Sequence, residues 1–169
     1  MKKSVIAGVL VVYATVAGVA NADAGGAYAG FGFGDASSEG IVANTTMSWK
    51  VFGGYAVNSK IAVEGGYTYF GESYVVRTNG FSAYVDYVQL TAFELAAIIT
   101  YPASEQFSLF GKLGVASIGS DSTREKDITF GAGGTYRLAE NLSMRASWER
   151  YQISEGNIDL LSAGIVLRF

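Results

Sequence analysis

Five charged side chains stand where this chain has least reason to place them. Lys50, Glu64, Glu94, Lys112 and Arg145 each fall inside a stretch rich in apolar residues. They are three bases and two acids. The chemistry open to them is ion pairing, which any ion withdrawn from water requires. More reactive groups are missing, because the sequence has no Cys and no His. That removes disulfides, thiol nucleophiles, His-ligated metals and His-dependent triads. Ser147 and Glu149 share one face of a strand, but no base of suitable pKa accompanies them. No catalytic residue, cofactor site or metal-ligand set is therefore expected, and the chain does not read as an enzyme. Gly131-Ala132-Gly133-Gly134 resembles a phosphate loop in composition alone, since no helix follows it. Asn141-Leu142-Ser143 matches a glycosylation sequon inside a short turn and carries no function.

The elements that position the five charges are strands. Trp49, Val51, Gly53, Tyr55 and Val57 alternate with Lys50, Phe52, Gly54 and Ala56. Ile61, Val63, Gly65, Tyr67 and Tyr69 alternate in the same way with Ala62, Glu64, Gly66, Thr68 and Phe70. A period of two gives a β-strand with two unlike faces. The same pattern predicts eight strands, over 26–34, 47–57, 61–71, 86–101, 107–119, 127–138, 142–152 and 158–169. Most are close to the 9–11 residues, roughly, that a tilted strand needs to cross a bilayer, and the fourth is longer. Short connections at Asn58–Lys60, Pro102–Gln106 and Ala139–Asn141 alternate with longer ones. Asp35–Thr46 and Glu72–Val85 read as long polar loops, and Ser120–Lys126 and Ile153–Asn157 as intermediate ones. Turns on one side and loops on the other are the layout of a transmembrane barrel.

The charges decide which face is which. A water-soluble sandwich turns its apolar face inward, whereas a small membrane barrel turns it toward lipid. Lys50, Glu64, Glu94, Lys112 and Arg145 have the parity opposite to the large apolar residues. Their neighbours on that face are small, such as Gly54, Ala62, Gly66, Ala96, Gly114 and Thr135. Charges among small residues make a poor apolar core but a fitting lumen for eight strands. Outward aromatics at Trp49, Tyr55, Tyr67, Tyr69, Phe107, Tyr136 and Trp148 suit the two membrane interfaces. In lipid an open sheet edge has no water to bond, so the first and last strands must pair. The expected fold is an all-β, eight-stranded antiparallel up-and-down transmembrane barrel over 25–169.

Export has its own signature. Lys2 and Lys3 precede an apolar run from Val5 to Val19, and small residues follow at Ala20-Asn21-Ala22 and Ala22-Asp23-Ala24. This is a cleavable signal peptide over 1–24, with cleavage after Ala22 or Ala24. Its loss takes Lys2, Lys3 and Asp23 from a chain of net charge −3, leaving −4. An acidic chain offers no footprint for nucleic acid. Only 16% of residues are charged, 50% are apolar and 22 are Gly. Typical soluble domains carry about 25% charged residues, so the shortfall fits a membrane protein.

Phe52–Glu72, Val88–Pro102, Phe107–Gly114 and Phe130–Gln152 resemble the transmembrane domain of outer membrane protein A, and of small OmpA-like and opacity-type barrels generally. The ending Ile165–Phe169 is similar to the last strand of many such proteins. The resemblance implies location in a Gram-negative outer membrane amid lipid and lipopolysaccharide. It also implies that Phe169, Leu167 and Ile165 form a signal for the barrel assembly machinery. In that family an interior acid–base network blocks or gates the lumen. Glu64, Lys112 and Arg145 match its positions, while Glu94 stands where the family has a base and Thr135 where it has an acid. Charge balance then pairs Glu94 with Lys112 and Glu64 with Arg145. Because the sequence ends at Phe169, no wall-binding domain is expected to follow.

These readings order the functions. A structural or adhesion-type surface role through loops 35–46 and 72–85 comes first, with a host or surface ligand as partner and the barrel a monomer. A narrow, gated, porin-like channel with an ion-paired lumen comes second. An outer-membrane lipid-modifying enzyme comes last.

Overall fold

A computed structural model describes residues 25–39, 46–78, 83–120, 123–153 and 156–169. The signal segment 1–24 lies outside the described residues. Eight strands follow one another: β1 (Ala27–Glu39), β2 (Thr46–Ala56), β3 (Ile61–Thr78), β4 (Ala83–Pro102), β5 (Phe107–Ser120), β6 (Thr123–Arg137), β7 (Leu142–Ile153) and β8 (Gly156–Arg168). Each pairs antiparallel with the next, and β1 pairs with β8 from Tyr28↔Arg168 to Glu39↔Asn157, closing the barrel. Closure leaves no edge along the wall, which removes the cost of unpaired backbone in lipid. An even number of antiparallel strands brings both ends of the wall to one rim, beside the connections 57–60, 103–106 and 138–141. This is the turn end, and the opposite rim is the loop end. Asn58 shapes the first turn by accepting bonds at Oδ1 from the amides of Lys60 and Ile61, both at 2.9 Å.

Four expected boundaries are corrected at the loop end. Within Glu72–Val85, 72–78 and 83–85 are strand and not loop, because 72–78 and 83–89 pair from Glu72↔Gln89 to Thr78↔Ala83, and 79–82 lies outside the described residues. The segment 35–39 likewise belongs to β1, and 40–45 lies outside the described residues. β6 begins at Thr123 rather than after Lys126, and β8 at Gly156. At the turn end Pro102 is the last residue of β4, paired with Ser108, and not part of the turn. The common reason is that alternation marks strand only where the two faces meet different solvents. Beyond the apolar band both faces can be polar, and the ladder continues without the pattern.

The longest extension is a two-stranded ribbon. β2 last meets β3 at Trp49↔Tyr69, and β5 last meets β4 at Thr91↔Gly119. Among the described residues, 72–78 and 83–89 pair only with each other, for roughly 20 Å at strand rise. A bulge between Tyr69 and Glu72 marks the departure. Gly71 sits there at φ +88°, and a Cβ would lie 2.0 Å from Thr46 Cγ2. Only glycine accepts both the left-handed backbone and that contact.

The outward face is apolar in its middle, where Val51, Val63, Leu95, Leu113, Val115, Ile128, Leu161 and Ile165 are exposed. Aromatic rings bound this band. Trp49, Tyr67, Tyr69 and Phe93 cluster toward the loop end, with ring centroids 4.9–5.8 Å apart. Tyr55, Tyr101, Phe107, Tyr136 and Phe169 lie exposed toward the turn end.

Candidate functional site

The interior has three layers. Toward the turn end, Tyr28, Phe52, Ala62, Ile98, Phe110 and Val166 form an apolar cluster. Toward the loop end, Ala36, Phe70, Ala92, Ala116, Ile118, Tyr151, Ile158 and Leu160 form another. The sequence reading gave the lumen small and charged residues, and these large inward side chains correct it. Charged side chains occupy the space between the clusters.

Lys50 on β2, Glu64 on β3, Glu94 on β4, Lys112 on β5 and Arg145 on β7 all point inward, with the four other than Arg145 buried. Lys112 is the hub. Its Nζ lies 2.5 Å from Glu94 Oε1, 2.9 Å from Glu149 Oε2 and 3.8 Å from Glu64 Oε1. Arg145 Nη1 donates to Glu64 Oε2 at 2.6 Å, and Tyr28 Oη donates to the same oxygen at 2.9 Å. The Arg145 guanidinium also lies 4.7 Å from both the Phe52 and Phe110 ring centres, so the apolar cluster and the ion pairs share a side chain. Tyr151 Oη sits between two carboxylates, 2.9 Å from Glu94 and 3.0 Å from Glu149.

Glycines leave room for these reaches. A Cβ at Gly54 would lie 2.5 Å from the Tyr28 hydroxyl, and one at Gly66 2.9 Å from Glu94 Oε1.

The sixth member is Glu149, which the sequence reading considered only as a poor catalytic partner for Ser147. It is buried, ion-paired with Lys50 and Lys112, and accepts a bond from Ser147 Oγ at 2.9 Å. Ser147 Oγ in turn meets Ser162 Oγ at 3.0 Å. Two signals pointed to this role. Glu149 shares parity with Arg145, and the five charges first singled out carry one base too many. With Glu149, three bases face three acids and the layer is neutral. Both Glu149 oxygens meet cations, so the carboxylate is committed to pairing. A void of about 10 Å³ lies beside Lys50, Arg145, Ser147 and Ser162, room for about one water molecule.

Thr135 also faces inward, opposite Arg145 in the β6–β7 register. Ile165, Leu167 and Phe169 face outward and exposed at the end of the chain. Among the described residues no group of three or more His, Cys, Asp or Glu could hold a metal.

A family model described as the outer membrane protein beta-barrel domain matches residues 6–169. No curated protein matches the chain in sequence. Solved structures share the fold at low identity. The attachment invasion locus protein Ail of Yersinia pestis is 17% identical, with 87% of this chain and 99% of that one covered and a TM-score of 0.55. Neisserial surface protein A is 16% identical, with 85% and 97% covered and a TM-score of 0.61. OprG of Pseudomonas aeruginosa is 13% identical, with 87% and 97% covered and a TM-score of 0.63.

Proposed function

Because the chain belongs to the outer membrane protein beta-barrel domain family, we propose that it is exported through segment 1–24 to a Gram-negative outer membrane. There it serves as a surface-interaction barrel of adhesion type. The observation that carries this reading is the filled and neutral lumen. Six inward charges cancel between two apolar clusters, and eight strands leave little interior once side chains fill it. What remains to meet a partner is the loop end, where binding residues on a rigid scaffold usually lie.

The β3–β4 ribbon is its most prominent part. It extends the β3–β4 ladder from Glu72↔Gln89 to Thr78↔Ala83 at the loop end. Ail, which shares this fold, has been crystallised with the heparin analogue sucrose octasulfate. That complex illustrates the same scaffold holding a ligand. Ile165, Leu167 and Phe169 serve during biogenesis as the signal for the assembly machinery.

The test replaces 74–87 by Asn-Gly, a two-residue turn that joins Ser73 to its partner Val88. The variant should still fold, seen as a heat-dependent shift in gel mobility, and should lose binding to host cells or serum proteins. Full retention of binding refutes a role for the ribbon.

A further inference from the structure

The outward face carries cations as well as rings, and they are not treated alike. Arg150 on β7 lies 5.5 Å from the Trp148 ring centre and is neutralised by Asp159, with bonds of 2.7 and 2.6 Å. Arg124 on β6 has no carboxylate among the described residues. Its side chain crosses the narrow β5 residues Ser117 and Gly119, donating to Ser117 O at 3.4 Å and Thr91 Oγ1 at 3.3 Å. The guanidinium comes to rest 5.0 Å from the Phe93 ring centre, within the loop-end aromatic belt. Lys126 is the register partner of Ser117, exposed, and its side chain makes no hydrogen bond or ion pair with a described residue. Two cations without a carboxylate among the described residues therefore meet at Ser117, Arg124 through its carbonyl and Lys126 as its register partner.

We propose that Arg124 and Lys126 form a binding site for the phosphate of an outer-leaflet glycolipid. The charge alone would suit any polyanion. What selects a lipid is the wall next to it. One step further from the loop end on the same strands and the same face stand Leu95, Val115 and Ile128, all exposed. A phosphate above and bare apolar wall below match a headgroup with its acyl chains, and a soluble sulfated sugar would leave the lower half empty. The residue types fit as well, since the planar guanidinium takes two phosphate oxygens and the ammonium adds a mobile point charge. Rings at the interface hold Arg124 at headgroup depth. This site lies on the lipid wall and is independent of the ribbon, so the turn replacement described above leaves it intact.

The experiment uses the full-length exported protein, purified and delipidated in detergent. It is titrated by native mass spectrometry with a bis-phosphorylated lipid A and with the same glycolipid after dephosphorylation. With roughly 1 kcal/mol per basic residue near an anionic surface, two cations predict about 30-fold tighter binding of the phosphorylated form. Arg124→Gln with Lys126→Gln should abolish that preference, and Arg150→Gln should keep it, each with wild-type heat-dependent mobility. Equal affinity of the wild type for both glycolipids overturns the proposal. So does loss of sucrose octasulfate binding in the double variant with its phosphorylated-lipid preference intact, which would assign the pair to a soluble polyanion.

Discussion

The charges inside the barrel and the charges on its loop-end wall face opposite problems. Inside, water is absent and every ion must find its opposite, so Lys50, Lys112 and Arg145 are matched by Glu64, Glu94 and Glu149. Outside, Arg124 and Lys126 on β6 stand without a carboxylate among the described residues, while Arg150 on the neighbouring β7 has Asp159. The difference teaches where to look for function. Cancelled charge holds the barrel together, and uncancelled charge at a membrane surface is available to something else.

The largest effect should come from the hub. Lys112→Ala leaves three carboxylates buried with too few cations, and removing one member of such a network costs about 3–5 kcal/mol. Urea unfolding in lipid vesicles should show that loss, and a change below about 1 kcal/mol would mean the layer is not held by charge. A smaller, diagnostic effect comes from exchange. Glu64→Arg alone should destabilise strongly, and adding Arg145→Glu should restore more than half of the loss, because the pair at 2.6 Å survives in reverse. No rescue would show that Glu64 answers to Lys112 and Tyr28 instead. The smallest effect belongs to the outer wall, where Arg124→Gln with Lys126→Gln should change stability by less than about 0.5 kcal/mol. A large loss there would erase the contrast between the two charge sets.

Much of this was legible in the sequence, for identifiable reasons. Alternation from Trp49 to Phe70 located β2, β3 and their turn, because those residues pass through the lipid band where the two faces differ most. Parity placed Lys50, Glu64, Glu94, Lys112 and Arg145 on one face. The ribbon was not legible. Glu72–Val85 is polar enough to read as loop, and the bulge at Gly71 shifts the register so that the earlier parity no longer applies. Phe52, Phe70 and Phe110 were also misleading, since aromatics suit both lipid and a packed interior, and only pairing shows which side they take. Glu149 escaped because Ser147 beside it suggested catalysis, although its parity with Arg145 was open to view. The wall site at Arg124 and Lys126 fell within what was read as a loop, and it emerged once β6 was seen to begin at Thr123.

The filled, charge-neutral lumen is the feature on which the proposed surface role depends. Planar-bilayer recording of the folded full-length protein tests this most directly. A lumen filled by two apolar clusters and a neutral ion layer predicts no regular conductance steps. Sizeable, uniform steps from the wild-type barrel would contradict it and make the interior the working part.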